Sequence, residues 1–230
     1  MSCSKIMKPP SHDSEDRKVA VLFIGNIGAG KSTLLSQIGG NFLSGVSFRQ
    51  GYTTRISEQE ITLDGKSVVL MDIPGLFEPE EDATQKNAKI LTEALRMDYD
   101  FKLFFVLKAC NRGVNDEDLI LMSKVNECIC QAQTKTKIDF RVIINQIMDD
   151  EVYNLYRDIM AIDNFRSFFA HLKISGYSFN DIRIENVLLL RFDAAKPLRN
   201  EFRSEILSDV IKQKSVQKLY ISLHSLCKAT

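Results

Sequence analysis

The fold of this chain is decided by Gly25-Asn26-Ile27-Gly28-Ala29-Gly30-Lys31-Ser32, which matches the phosphate-binding pattern G-x-x-x-x-G-K-[ST] at every fixed position. Residues 19–24 before it are apolar and β-branched and predict a buried strand, whereas residues 32–38 after it predict the first turns of a helix. In such a strand–loop–helix unit, backbone N–H groups and the positive end of the helix point at an anion. The stretch therefore predicts a nucleoside-triphosphate site.

We expect both the backbone and the side chains of this loop to contact the nucleotide. Lys31 would reach the β- and γ-phosphates, and the Ser32 hydroxyl would ligate Mg²⁺. The alternative is a glycine-rich turn that binds nothing, and the strand and helix on either side disfavour it. The predicted nucleotide contacts are Gly25, Asn26, Ile27, Gly28, Ala29, Gly30, Lys31, Ser32 and Thr33.

A second motif, Asp72-Ile73-Pro74-Gly75, matches D-x-x-G directly after a predicted buried strand. An Asp at this strand end can hold Mg²⁺ through a water molecule, and the Gly75 N–H can contact a γ-phosphate. The alternative is a strand followed by a plain Pro-Gly turn. The order and spacing of the motif after Lys31 favour a γ-phosphate sensor.

Between these two motifs, a switch-like segment should offer a hydroxyl to Mg²⁺. Thr53 and Thr54 both lie there, and we prefer Thr53. A solvated loop threonine is the alternative. The predicted metal ligands are Ser32, Thr53 and Asp72, and the predicted catalytic groups are Lys31, Thr53 and Gly75.

The residue after the D-x-x-G motif is Leu76, at a position where small signalling GTPases carry a Gln that orients the attacking water. A leucine side chain forms no hydrogen bond to water. Either hydrolysis is slow or another group positions the water. Arg49 and Arg55 are candidates for a charge-stabilising arginine, acting in the same chain or across a dimer, unless both are simply solvated.

Recognition of the base is predicted at residues 145–150, after the strand expected over residues 140–144. GTPases typically carry N-K-x-D at this place, with the Asp accepting protons from the guanine ring N–H and exocyclic amine. Here Gln146 replaces the Lys, and Asp149 arrives one residue late. Asp149 reaches the base if the loop bulges; a helix N-cap is the alternative role.

Apolar strand-like runs alternate with helix-like segments along the chain, which predicts an α/β fold with a mainly parallel six-stranded sheet flanked by helices. We divide the chain into a disordered tail over residues 1–17, a nucleotide-binding domain over 18–196 and a helical extension over 197–230 that packs on or adjoins it. The remaining strands are expected at 56–63, 67–71, 101–107 and 186–192, and the remaining helices at 83–96, from Asn115 onward, at 151–172 and at 198–226.

The composition of the chain limits which binding partners and which cellular compartment we expect. The chain has 30 basic and 30 acidic residues, which argues against broad binding to nucleic acid or to an anionic membrane. No apolar run approaches the length of a membrane span. Five scattered cysteines without metal-site spacing predict reduced thiols and a cytoplasmic protein, although Cys227 stands at the position of a C-terminal prenylation box.

Several motifs together resemble the immunity-associated (GIMAP/AIG-type) GTPases, relatives of septins and of chloroplast import GTPases. The resemblance covers about residues 18–196. It is carried by the phosphate-binding loop, by the D-x-P-G-L form of residues 72–76, by Gly-Tyr-Thr-Thr at 51–54 and by residues 112–118.

This resemblance implies a P-loop G domain that binds GTP or GDP with Mg²⁺. It also implies a T-x-x-D form of the base motif, which Asp149 would match, and a second base contact after the last strand, which Asp193 would match. Such GTPases are thought to dimerise through their nucleotide faces, so a nucleotide-dependent homodimer or oligomer is expected.

The leading hypothesis is a GTP-binding switch with slow or dimerisation-dependent hydrolysis. The alternative from another class is a non-catalytic interaction or assembly module that the nucleotide stabilises, and Leu76 supports it. A third class, ATP-using P-loop proteins, is disfavoured because residues 72–75 have the form of a γ-phosphate sensor.

Overall fold

The computed structural model describes residues 18–42, 53–63, 65–76, 81–110, 113–132, 140–148, 150–161 and 187–191, together with 203–204, 206–208 and 210. The predicted tail and most of the C-terminal extension lie outside these residues. The elements are β1 (Val19–Ile24), α1 (Lys31–Gln37), β2 (Ser57–Leu63), β3 (Lys66–Asp72), α2 (Glu81–Leu95), β4 (Asp100–Cys110), β5 (Gly113–Val114), α3 (Asp116–Ala132), β6 (Phe140–Ile147), α4 (Asp150–Ala161) and β7 (Val187–Arg191).

The strands form one sheet with the order β2-β3-β1-β4-β6-β7. All neighbours along this order pair in parallel except β2, which is antiparallel to β3. The predicted α/β class with a mainly parallel six-stranded sheet is therefore confirmed. The two-residue β5, which pairs with the end of β4, was not predicted because so short a strand has no periodicity.

The core lies on both faces of the sheet, because alternate residues of each strand point to opposite sides. On one face Leu22 and Phe105 pack with α2 and α3. On the other face Val21 and Phe23 pack with α1 and with the described part of the C-terminal segment. The buried residues of that second cluster include Leu34, Leu35, Ile143, Ile206 and Val210.

The topology gathers four loops at one edge of the sheet. Strands β1, β3, β4 and β6 run parallel, so the residues that follow each of them emerge on the same side. Open parallel sheets bind ligands at this carboxyl edge. Within the described ranges, no helix is both long and apolar enough to span a membrane.

Candidate nucleotide-binding site

The loop between β1 and α1 has a backbone that only glycine tolerates at several positions. Gly28 and Gly30 have φ angles of 77° and 92°, in the left-handed region, which costs other L-residues about 1–2 kcal/mol. Gly25 has ordinary φ but packs against β4, and a Cβ there would meet the Val106 carbonyl oxygen. Gly30 is also the N-cap of α1 and has no side chain to cap it. The first N–H groups of α1 are therefore left for an anion.

Lys31 is the first residue of α1 and lies against this loop, with only 6% of its surface exposed. Its Nζ donates hydrogen bonds to the carbonyl oxygens of Gly25 and Asn26, each at 3.0 Å. Burial lowers the pKa of Lys31 from 10.5 to about 8, and the charges of Asp72 and Asp118 act in the opposite direction. A phosphate beside Nζ would add negative charge and so favour the protonated form of Lys31.

The three predicted metal ligands lie together. The Ser32 Oγ donates to Asp72 Oδ2 at 2.7 Å, the Thr53 Oγ1 donates to the same oxygen at 2.9 Å, and the two hydroxyls are 3.3 Å apart. Asp72 is 2% exposed, and its Oδ1 is buried with no hydrogen-bond partner among the described residues. Hard oxygen donors of this kind suit Mg²⁺, which is typically held by one or two carboxylates plus phosphate oxygens and water.

The described residues contain no cluster of three His, Cys, Asp or Glu side chains that would hold a metal without help from a ligand. Two hydroxyls, with the carboxylate acting through water, would leave most of an octahedral shell to phosphate and water. The set is thus suited to a metal ion that arrives with a nucleotide.

Gly75 packs directly against the phosphate-binding loop. A Cβ at this position would meet the backbone nitrogen of Ile27 and lie 2.6 Å from its Cγ1. The Gly75 carbonyl accepts a hydrogen bond from the buried Asn87 Nδ2 of α2 at 2.8 Å. Asn87 was not predicted, although it shares a helical stripe with Leu91 that marks the buried face of α2. Leu76 is 2% exposed and belongs to the core on that side of the sheet.

The end of β6 is bulged and contacts the phosphate-binding loop. Here β6 advances from Ile144 to Ile147 while β7 advances from Leu189 to Arg191, so β6 contains one extra residue. Gln146 lies in the bulge with φ of 64°.

Two amides tie this bulge to the phosphate-binding loop. Asn145 Nδ2 donates to the Ala29 carbonyl at 2.8 Å, and Gln146 Nε2 donates to the Gly28 carbonyl at 2.6 Å. The proposed base-reading residues Asp149 and Asp193 themselves lie outside the described residues. Arg49 also lies outside them, whereas Arg55 is described and exposed.

One buried acid near the loop was not singled out as a site residue. Asp118 is 1% exposed in the first turn of α3, and its Oδ2 accepts the Lys108 N–H at 2.7 Å. Burial raises the pKa of Asp118, and the hydrogen bond from the Lys108 N–H, the neighbouring Asn26 side chain and the charge of Lys31 oppose that shift. The sequence could have indicated this burial, because Asp118 lies at helical spacing from Leu121, Met122 and Val125, which form the buried face of α3.

Comparisons with known proteins give one matching protein family. Residues 20–146 match the family described as 50S ribosome-binding GTPase, which is more than half of the chain. Among curated proteins, GTPase Der of Thermosipho melanesiensis is 30% identical over 138 residues, or 59% of this chain. The chain spans 30% of the length of Der and from 20% to 35% of four similar Era GTPases.

Among solved structures, Toc33 from Arabidopsis thaliana in complex with GDP and Mg²⁺ is similar in fold, with a TM-score of 0.57 at 17% identity over 88% of each chain. Dimerization is described as important for the GTPase activity of Toc33. Era bound to MgGDPNP and to nucleotides 1506–1542 of 16S ribosomal RNA has a TM-score of 0.53 at 20% identity, over 84% of this chain and 57% of that one. That complex does not fit the expectation of no nucleic-acid partner, which rested on net charge alone.

Proposed function

Because the chain belongs to the 50S ribosome-binding GTPase family, we propose that it is a GTPase that binds Mg-GTP and Mg-GDP at the carboxyl edge of its sheet. The observation that carries this proposal is the convergence of Ser32, Thr53 and Asp72 within hydrogen-bonding distance of one another. If Thr53 were only a solvated loop residue and Asp72 only the end of a strand, their side chains would not be expected to contact Ser32 in α1.

Each residue of the site has a defined part in this proposal. Lys31 would bind the β- and γ-phosphates, while Ser32 and Thr53 would offer hydroxyl oxygens to Mg²⁺ and Asp72 would hold the ion through water. The Gly75 N–H contacts the γ-phosphate and so distinguishes GTP from GDP. Mg²⁺ would supply charge neutralisation between the β- and γ-phosphates.

Direct binding measurements test this assignment. Lys31→Ala should abolish binding of GDP and GTP, whereas Lys66→Ala, an exposed lysine at the start of β3, should leave it unchanged. Competition among GTP, GDP, ATP and ADP for the purified chain tests the base. Unchanged nucleotide affinity in Lys31→Ala would refute the site.

Guanine selectivity is proposed for Asp149, with Asp193 as a second base contact. The bulge in β6 supports this, because one extra residue between Ile144 and Ile147 compensates for the late position of Asp149 in the motif. The amides of Asn145 and Gln146 fix the start of this segment to the phosphate-binding loop. Because the two loops are hydrogen-bonded to each other, binding of the base and binding of the phosphates would be coupled.

We also propose that the chain is an immunity-associated (AIG-type) GTPase, on the D-x-P-G-L form of residues 72–76 and the sequence of residues 112–118. We also propose that the monomer hydrolyses GTP slowly and that a second copy of the chain accelerates the reaction. Leu76 is buried and offers no group to a water, so a monomer lacks the usual water-orienting residue at that position. The role of dimerization in Toc33 supports the same expectation.

A second candidate function is a non-catalytic assembly module that GTP stabilises. The burial of Leu76 in the core favours it, because the side chain is committed to packing rather than to chemistry. Multiple-turnover phosphate release separates the two candidates. Turnover at any protein concentration supports the GTPase, and binding without turnover at every concentration supports the module.

A further inference from the structure

The turn that follows α1 is held against two neighbouring elements by side-chain hydrogen bonds. The backbone N–H of Asn41 donates to Gln59 Oε1 at 2.6 Å, and Gln59 Nε2 donates to the Asn41 carbonyl at 2.7 Å. We call this pair the amide clamp. In the same way, the Phe42 N–H donates to Ser36 Oγ and that hydroxyl donates to the Phe42 carbonyl, both at 3.0 Å. One residue of the turn is thus bound to β2 and the next residue to α1.

The packing around this turn requires glycine at two positions. Gly39 has a φ angle of 133°, and a Cβ there would lie 3.7 Å from Cδ1 of Ile61 in β2. A Cβ at Gly40 would meet the ring of Phe42. Phe42 is itself buried in the core cluster that contains Leu35 of α1. The turn is therefore packed as well as hydrogen-bonded, and it brings the end of α1 against β2.

The amide clamp joins two of the elements that carry the proposed metal ligands. Ser32 lies in the first turn of α1, and Thr53 lies shortly before the start of β2 at Ser57. Ser57 pairs with Asp72 in the ladder between β2 and β3. At the carboxyl edge of the sheet these ligands contact one another directly. The clamp connects α1 and β2 a second time, beyond the last turn of the helix.

This second connection supplies a constraint that the sheet alone does not. Among the described residues, β2 is an edge strand whose ladder partner is β3. That ladder fixes the distance from β2 to Asp72, whereas the distance from β2 to Ser32 also depends on how β2 sits against α1. Mg²⁺ requires near-ideal octahedral geometry, with ligands at about 2.0–2.1 Å. A small change in the separation of α1 and β2 would therefore be felt at the metal site.

We propose that Gln59 is a positioning residue for Mg²⁺-dependent nucleotide binding, which holds β2 against the end of α1 and so sets the separation of the Ser32 and Thr53 hydroxyls. This inference rests on the proposed function, since it assigns a supporting group to the same site. Gln59 acts from the opposite end of α1 to Ser32 and does not touch the nucleotide. It therefore affects the share of the affinity that Mg²⁺ contributes, and the share from the phosphate-binding loop stays the same.

The test compares Gln59→Met, which keeps the length of the side chain and removes both hydrogen bonds, with Thr62→Val, which removes an exposed hydroxyl from the same strand. Titration with mant-GTP in EDTA and in Mg²⁺ gives the ratio of the two Kd values, which is the enhancement by the metal. In Gln59→Met this enhancement should fall about fivefold, the usual effect of one hydrogen bond, with the Kd in EDTA unchanged. Thr62→Val should retain the wild-type enhancement.

Ser36→Ala tests the same connection from α1, because Ser36 holds the turn to the helix on its other side. It should also lower the enhancement by Mg²⁺. The double variant Ser36→Ala with Gln59→Met should fall no further than the more affected single variant, since both changes break one path from α1 to β2. Effects that add in the double variant would contradict a shared path. Should Gln59→Met not fold, Ser36→Ala compared with wild type decides the question.

The same titrations separate this inference from the proposed function. If wild type binds GTP no better in Mg²⁺ than in EDTA, the proposed metal site fails and the inference fails with it. If wild type shows the enhancement and both Gln59→Met and Ser36→Ala retain it, the metal site stands and the positioning role alone is overturned. A lower Tm of Gln59→Met with an unchanged enhancement would likewise show that Gln59 supports only the fold.

Discussion

At the scale of single residues, Lys31 is a cation that the fold buries beside the expected position of an anion. Its pKa is lowered to about 8 in the nucleotide-free protein, chiefly by burial. Between pH 8 and 10.5 the unfolded chain therefore binds more protons at this residue than the folded chain, so the free energy of unfolding rises with pH over that interval. A bound phosphate reverses the shift, because it favours the ammonium.

The affinity for GDP should therefore fall as the pH rises through about 8, where Lys31 loses its proton in the free protein. The measurement is the Kd for GDP in EDTA, so that no metal ion contributes charge beside Lys31. Lys31→Arg is the control, since its guanidinium keeps its charge and its Kd should not change with pH over this range. A wild-type Kd that is equally flat would contradict the linkage.

Asp149 allows an equally specific prediction about the base. Guanine presents two N–H donors to a carboxylate, whereas xanthine replaces the exocyclic amine with an acceptor oxygen. Asp149→Asn should therefore lose affinity for GTP and gain affinity for xanthosine triphosphate, because an amide offers one acceptor and one donor. Asp150→Asn, at an exposed neighbouring position, is the control. A switch of base preference in Asp150→Asn instead would place the base contact one residue later.

At the scale of elements, the central strands were predictable because a parallel strand buried on both faces is a continuous apolar run. The edge strand β2 was predictable for the opposite reason, since its exposed and half-buried residues alternate. The phosphate-binding loop and the D-x-x-G motif could be predicted because their backbone conformations allow only a few residue types at each fixed position. The partners of these motifs were harder to find. Asn87 and Asp118 are single polar residues on apolar helix faces, and only the packing shows what they contact.

Asn87 on α2 connects the switch to a helix, which gives a prediction about that element. Asn87→Ala removes the hydrogen bond that the Asn87 Nδ2 donates to the Gly75 carbonyl. Leaving a buried carbonyl without its donor lowers the free energy of unfolding by about 1–3 kcal/mol. We expect lower thermal stability and a larger loss of affinity for GTP than for GDP, because Gly75 contacts only the γ-phosphate in the proposed site. Lys89→Ala, exposed on the same helix, should change neither quantity.

An equal loss of GTP and GDP affinity in Asn87→Ala would contradict the link between α2 and the γ-phosphate. A loss of stability alone would show that Asn87 supports the fold and not the switch. Isothermal titration with both nucleotides and thermal unfolding of the nucleotide-free variants distinguish these outcomes.

At the scale of the whole molecule, the proposed site opens at one edge of the sheet and lacks a group to orient water at Leu76. Arg55 is exposed on the segment that carries Thr53, so it is free to contact a second molecule docked on the nucleotide face. A cation brought to the γ-phosphate in this way would stabilise charge in the transition state. The face that binds the nucleotide would then also be the face that completes the catalytic site.

Turnover per molecule should accordingly rise with protein concentration, since only the dimer contains both the nucleotide and the second copy's arginine. The measurement is multiple-turnover phosphate release over about a hundredfold dilution series, with sedimentation of the same samples in GTP and GDP. Arg55→Ala should bind GTP as wild type does but show a weaker dependence of turnover on concentration. Arg96→Ala, an exposed arginine after α2, should behave as wild type. A turnover rate that stays constant on dilution would show that the monomer hydrolyses GTP without a second copy. If turnover by Arg55→Ala depends on protein concentration as strongly as turnover by wild type, the assisting group is another residue such as Arg49.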